Sequence, residues 1–120
     1  MKHIALMAAS TTTFALMVGC GSYPAPNEKL VNSQASVRAA QEVGAQNDAQ
    51  GALHLKLAQE QVEQARQLMS DGDNKRAEFV LLRAEADAEL AVALARQASA
   101  RTEAQQALDQ LKALKGGDRR

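Results

Sequence analysis

The sequence contains no proline after Pro26, and alanine recurs every few residues through most of the remaining chain. Proline breaks helices and alanine has the highest helix propensity, so this long stretch favours helices. Only 2% of the residues are aromatic. Because burying alanine removes little apolar area from water, we expect long helices packed closely along small side chains. A compact globule with a deep pocket is a poor fit to this composition.

Apolar residues spaced three and four apart predict two antiparallel arms. The first arm carries Leu55, Ala58, Val62, Ala65 and Met69, and the second carries Ala77, Leu81, Ala84, Ala88, Ala91 and Ala95. The seam is expected to continue through Ala100, Ala104, Ala107, Leu111 and Leu114. Between the arms lies "SDGDN" (70–74), where Gly72 can take the left-handed conformation and Asp73 or Asn74 can cap the next helix. A connection this short makes neighbouring helices antiparallel.

The segment before residue 52 supports two interpretations. Leu30, Val37, Gly44 and Gly51 fall seven residues apart, which favours one unbroken first arm over 28–71. This arm would be nearly equal in length to a second arm over 74–115. The two glycines weaken a helix, and Asp48 could cap a new one. We therefore predict an all-α fold, a long antiparallel α-hairpin or coiled coil whose first arm is kinked or broken near 44–51. Three separate helices are the alternative. Asn27 is the expected cap at the start, with Glu28 in the first turn.

The first twenty residues have the layout of a secretory signal. Lys2 supplies positive charge, an apolar run follows over 4–18, and small residues precede Cys20, the single cysteine. The run is shorter than the roughly 20 residues needed to cross a bilayer, so a transmembrane span is the less favoured interpretation.

The "MVGC" at 17–20 resembles the lipobox of bacterial lipoproteins. The resemblance implies cleavage between Gly19 and Cys20, a diacylglycerol thioether on the Cys20 sulfur and an acyl chain on its new amine. A buried thiol in an uncleaved segment is the alternative. Gly21 follows where aspartate would favour the inner membrane, which implies the periplasmic face of the outer membrane. We thus expect a signal peptide (1–19), a lipidated flexible tether (20–27), a helical domain (28–115) and a basic tail (116–120).

The helical body resembles the bacterial family called domain of unknown function 4398. The resemblance is carried by Leu55, Ala58, Ala65, the "DGD" turn, Ala77 and "AEADAELA" (84–91), and it extends over roughly 28–96. Where many members have a proline before the second helix, this chain has "NDAQG" (47–51). Members are often small lipoproteins, or precede a peptidoglycan-binding module of the OmpA type. The family has no established activity, so the resemblance implies no functional residues.

Few residues suggest chemistry. His54 is the one histidine beyond the signal segment and is expected on a helix surface. "DGDN" (71–74) lacks the later ligands of a calcium loop and is expected to be a capped turn. The acidic residues Glu78, Glu85, Asp87 and Glu89 are expected to form a solvated face, with contact to a cationic partner as the alternative.

Two residues are candidates for packing or docking. Asp87 is expected at the rim of the seam, where Arg83 or Arg66 could pair with it and fix the register of the arms. Phe79, the lone aromatic of the helical body, is expected to fill the space near the hairpin turn. Its alternative is an exposed docking position, a role that aromatic residues often have at interfaces.

Charge and motifs exclude several functions. Fourteen basic and fourteen acidic residues cancel, which argues against nucleic-acid binding. The sequence lacks a nucleophile–base pair, a metal cluster and a phosphate loop, so we expect no enzyme, no cofactor apart from the lipid on Cys20, and no small-molecule substrate. The expected function is a structural or adaptor lipoprotein that binds the membrane through its lipid and binds an envelope protein or a second copy. The alternative is an envelope spacer bound non-covalently to peptidoglycan.

Overall fold

The computed structural model describes residues 22–117, which form three helices. These are α1 (Asn27–Glu42), α2 (Ala49–Ser70) and α3 (Asn74–Gly117), with a short 3-10 helix (Ala45–Asn47) between α1 and α2. No strand occurs within the described range, so the all-α prediction is confirmed. The predicted signal peptide, Cys20 and residues 118–120 lie outside the described residues.

Helix α1 follows segment 22–26, which has no regular secondary structure, and it begins at Asn27. Pro26 occupies the capping position and makes no side-chain hydrogen bond to the helix. Asn27 is therefore the first helical residue, and its prediction as a cap is wrong. Glu28 lies in the first turn, where its negative charge suits the positive end of the helix dipole.

The predicted break near 44–51 is confirmed. Gly44 has a φ of 78°, a left-handed conformation that favours glycine, and it ends the path of α1. Asp48 then caps α2, because its carboxylate accepts a hydrogen bond from the Gly51 amide at 2.8 Å. A chain reversal and a new helix start thus occur within eight residues, from Val43 to Gln50.

Because of this reversal, α1 folds back beside both other helices. Leu30 packs against the buried cluster near the α2–α3 turn, which contains Ala77 and Leu81. Ala40 lies at the other end of the bundle, with Leu55 and Ala91. Helix α1 therefore runs antiparallel to α2 and parallel to α3, and the alternative of three separate helices describes the fold.

The core is built almost entirely from alanine. The fully buried side chains of α2 and α3 include Ala58, Ala65, Ala77, Leu81, Ala84, Ala88 and Ala91. The predicted seam is thus confirmed as far as Ala95. Small side chains let the helices approach closely, and the Ser33 hydroxyl of α1 reaches the main-chain oxygen of Leu81 in α3 at 3.0 Å.

Beyond Ala95 the predicted seam is wrong. Residues 99–116 are all exposed, including Leu111 and Leu114. The step from Ala95 to Ala100 is five residues, about 140° of helix rotation, so the apolar residues after it lie on another side of α3. With α1 folded back, only the loop between α1 and α2 lies beside the first of them, where Val43 and Asn47 line a groove with Ser99 and Thr102. We call residues 99–117 the free half of α3. Its exposed residues 99–116 extend over about 27 Å of helix.

The α2–α3 turn has the predicted geometry. Gly72 has a φ of 80°, and the Asp73 amide donates to the Leu68 carbonyl oxygen at 2.8 Å. The Asp73 carboxylate accepts from the Arg76 amide at 3.3 Å at the start of α3. "DGDN" is therefore a helix-ending and helix-capping turn, as the sequence indicates.

We expect Gly51→Ala to destabilise the fold, because a Cβ atom at residue 51 would lie 2.7 Å from the Ala45 carbonyl oxygen. The loop between α1 and α2 would have to move, at a cost of about 1–3 kcal/mol in the free energy of unfolding. Urea unfolding followed by circular dichroism measures it. Gly116→Ala is the matched control: it is helical with open space around it, and stability should be unchanged or slightly raised. Equal stability of the two variants would contradict the packing of this loop on α2.

Candidate interaction surfaces

A polar cluster joins α2 to α3 at the edge of the alanine seam. Asp87 of α3 accepts hydrogen bonds from two residues of α2. His54 Nδ1 lies 2.9 Å from Asp87 Oδ1, and Gln61 Nε2 donates to Asp87 Oδ2 at 2.8 Å. His54 and Gln61 are seven residues apart, so they lie on one side of α2 and hold both oxygens of the same carboxylate.

This cluster is partly shielded from water. The His54 and Asp87 side chains are 27% and 22% exposed, and Gln61 is buried. Burial on its own raises the pKa of Asp87. The hydrogen bonds from His54 and Gln61, with the positive charges of His54 and Arg83, outweigh burial and hold the pKa of Asp87 below its ordinary value. The ionised carboxylate therefore stabilises the contact between α2 and α3.

The position of Asp87 at the rim of the seam was predictable, but its partners were not. Arg66 pairs with Glu63 of its own helix, and Arg83 is exposed and acts on Asp87 through its charge alone. His54 was expected on the surface and instead lies half-buried against Asp87. The seven-residue spacing of His54 and Gln61 was the available signal for this contact.

The four acidic residues of α3 do not form one patch. Glu89 lies on the α1 side, where it lines a groove with Ser36 and Ala39. Asp87 lies on the α2 side, two residues or about 200° of rotation from Glu85 and from Glu89. Glu78 lies near the turn and accepts a hydrogen bond from Tyr23. The structure thus separates Asp87 from Glu85 and Glu89.

The segment before α1 contacts the start of α3. The Tyr23 hydroxyl donates to a carboxylate oxygen of Glu78, and Asn74 Nδ2 donates to the Tyr23 carbonyl oxygen at 2.8 Å. The Glu78 contact raises the pKa of Tyr23. Pro26 is buried. The described part of the predicted tether is therefore held at the end of the bundle that contains the α2–α3 turn.

Phe79 is 59% exposed, so its predicted role in filling the space near the turn is wrong. Leu81 is the buried side chain there, with Leu30, Leu68, Met69 and Val80 packed around it. Phe79 is two residues from Leu81 and points away from the seam. The alternative, an exposed aromatic side chain, is the one that the structure supports.

Phe79 begins an exposed apolar face that follows the whole of α3. One row falls at strict seven-residue spacing and contains Phe79, Ala86, Ala93, Ala100, Ala107 and Leu114. A second row beside it contains Leu90, Ala104 and Leu111, interrupted by Arg83 and Gln97. We call these two rows the outer stripe. It lies opposite the buried seam, and its first row continues as an unbroken apolar row from the bundle into the free half.

The described residues offer little else that suggests chemistry. Across residues 22–117 there is no group of three or more histidine, cysteine, aspartate or glutamate side chains placed to hold a metal ion. None of the helices in this range is long and apolar enough to span a bilayer.

The fold defines a small all-helical domain, and the outer stripe of α3 is an exposed apolar face on it. The model of the family described as Domain of unknown function (DUF4398) matches residues 28–118, and the chain belongs to this family. The match extends past residue 96, so the free half of α3 is part of the family domain. No curated protein and no solved structure matches the chain.

We expect Asp87→Asn to lower the free energy of unfolding at pH 7 by about 1 kcal/mol, because the variant loses charged hydrogen bonds to His54 and Gln61. The folded protein holds the pKa of Asp87 below 3.8, so this stabilisation is present above about pH 4 and is lost as the pH falls through the folded pKa. Urea unfolding of both proteins between pH 7 and pH 3 measures the difference.

The control for this prediction is Glu89→Gln, which removes an exposed carboxylate on the α1 side of the same helix. Its stability should stay close to that of the wild type over the same pH range. A difference between Asp87→Asn and the wild type that does not shrink toward pH 3 would contradict a stabilising role for the ionised carboxylate.

Proposed function

We propose that this protein is a lipoprotein of the outer membrane, facing the periplasm, that acts as a non-enzymatic structural or adaptor module. The observation that carries the proposal is the placement of two features at opposite ends of the domain. The segment 22–26 is held at the turn end of the bundle, immediately after the predicted lipidation site. The free half of α3, with its exposed apolar face, extends from the other end.

The short distance between anchor and domain supports this arrangement. Only Gly21 and Ser22 lie between Cys20 and Tyr23. The fully extended chain from Cys20 to Tyr23 reaches about 10 Å. Two or more acyl chains hold a protein firmly at a bilayer, whereas one binds only marginally. A triacylated Cys20 would therefore keep the turn end near the membrane and leave the outer stripe accessible to a partner.

An adaptor fits these surfaces better than an enzyme. The His54–Asp87 pair could suggest acid–base chemistry, but both side chains bridge α2 and α3 at the edge of the seam, and Gln61 occupies the second Asp87 oxygen. Those contacts stabilise the fold. The outer stripe, by contrast, leaves Phe79, Leu90, Leu111 and Leu114 exposed, and an exposed apolar face of this length is typical of a protein interaction site.

The peptidoglycan spacer is the second candidate. Lys112 and Lys115 are exposed in the last turns of α3, at the end remote from the segment 22–26. Basic side chains at this end could bind the anionic wall polymer without a covalent bond. Binding to purified sacculi that is lost in Lys112→Gln/Lys115→Gln, and unaffected by substitutions in the outer stripe, would favour the spacer over the adaptor.

We expect the wild-type protein to fractionate with outer membranes and to carry the mass of a diacylglycerol and an acyl chain on residue 20. Cys20→Ser should lose both the mass and the membrane association, because no thiol remains to be acylated. Gly21→Asp should move the protein to the inner membrane, and Gly21→Ser is its matched control. A wild-type protein without acyl mass, or a Cys20→Ser protein that still fractionates with membranes, would overturn the anchoring proposal.

The adaptor role has its own test. A photocrosslinking residue at Leu111 or Phe79 should trap a protein partner in living cells, because both positions lie in the outer stripe. The same residue at Lys56, exposed on α2, is the control. Equal crosslinking at all three positions would show that the outer stripe has no special role.

A further inference from the structure

The outer stripe has the spacing of a coiled-coil seam. Its two rows alternate by four and three residues from Phe79 to Leu114, and every member is exposed. This length of α3 is about 53 Å. The residues at its edges include Arg96 and Glu103, both exposed and seven residues apart. Residues seven apart on one helix are about 10 Å apart along its axis, so these two charges do not pair with each other. Arg96 borders the groove beside α1, and Glu103 borders the groove beside the loop between α1 and α2, so both lie along the same edge of the outer stripe.

We propose that the outer stripe of α3 binds the outer stripe of a second copy in antiparallel orientation, with Arg96 of each copy opposite Glu103 of the other. This inference rests on the proposed adaptor function, since it names the partner of the same surface, but it does not require the lipid. In this register each residue of one row lies opposite a residue of the other row in the second copy, and the two residue numbers add up to 197.

Side-chain size supports this register. Leu90 of one copy lies opposite Ala107 of the other, and Leu111 lies opposite Ala86. These two leucines thus each meet an alanine, and both contacts occur twice because the arrangement is two-fold symmetric. Arg83 lies near the end of the overlap, opposite Leu114, where its charged group can reach solvent. Gln97 lies opposite Ala100 at the centre.

Charge selects this register over its neighbours. A shift by one heptad in one direction places Arg96 opposite Arg96 of the second copy, and a shift in the other direction places Glu103 opposite Glu103. Like charges at such positions are destabilising, so both shifted registers are disfavoured. The central register instead contains two Arg96–Glu103 pairs.

Charge also disfavours a parallel pair. In parallel orientation Arg96 lies opposite Arg101 of the second copy at both edges. The two Arg83 side chains also face each other within the apolar rows. Antiparallel pairing removes both conflicts. It places the two turn ends, at the start of α3, about 74 Å apart, so a pair lying along a membrane surface can have one anchor at each end.

The first test measures the association of the full chain in detergent by sedimentation. Arg96→Glu and Glu103→Arg should each weaken dimerisation roughly tenfold, because each places two like-charged pairs at the edges of the stripe, and the double reversal should restore the wild-type affinity. Arg101→Glu should leave the affinity nearly unchanged, whereas a parallel dimer would be strengthened by it. All three residues are exposed, so circular dichroism at a concentration at which every variant is monomeric should show unchanged helix content and melting temperature.

The second test fixes the orientation through disulfides. A mixture of Leu90→Cys and Ala107→Cys chains with different tags should form a mixed disulfide dimer. Ala107→Cys alone should not, because residues 107 of an antiparallel pair lie about 26 Å apart along the helix axis. The wild-type chain, which retains Cys20, is the blank. Rapid crosslinking of Ala107→Cys to itself would overturn the antiparallel orientation.

The outcomes separate this inference from the proposed function. A wild-type chain that stays monomeric, or a double reversal that fails to restore affinity, overturns the inference. If the monomeric chain is trapped from the outer stripe by a different envelope protein, the adaptor function stands without self-association. If the chain dimerises as described but Cys20→Ser still fractionates with membranes, the anchoring proposal fails and the inference stands.

Discussion

The structure depends on close approach between helices along alanine. Alanine contributes little apolar area, but it lets the backbones of α2 and α3 come close enough for many weak contacts along their length. Ala58, Ala65, Ala77, Ala84, Ala88 and Ala91 are fully buried along this seam. A larger side chain at any one of these positions would push the two helices apart. The close spacing along the whole seam therefore limits the side-chain size at each position.

An alanine seam is nearly uniform along its length, so apolar packing alone selects the register of the helices weakly. Polar contacts between the helices select the register more strongly than the alanine side chains do. Asp87 is held by His54 and Gln61 at one point on α2, and a slip by one turn would leave its carboxylate partly buried without those donors. The Ser33 hydroxyl favours one register of α1 in the same way, since it reaches the Leu81 carbonyl oxygen in only one alignment of α1 with α3. We hypothesise that these contacts fix the register.

Most of the helices could be predicted from the sequence, and the direction of α1 could not. The three-and-four spacing on each arm, the glycine of the turn and the cap at Asp48 are local signals, and each is confirmed. The reversal between α1 and α2 brings Gly51 against Ala45, and no repeating pattern in the sequence relates these two residues. Gly51 lies so close to the Ala45 carbonyl oxygen that only glycine fits there, while the sequence presents Gly51 as one more member of a seven-residue row.

The free half of α3 follows from that reversal. A helix of this length is marginal in water on its own, but here the packed part of α3 removes the cost of nucleation, and each added residue only extends an existing helix. The bundle therefore holds a long exposed face in helical form before any partner arrives, which lowers the entropy lost on binding. The same alanine content that allows a close seam inside the bundle makes the outer stripe flat. An interface on such a face gains its affinity from length and its specificity from the charges at its edges, and the family domain extends over the whole of the free half.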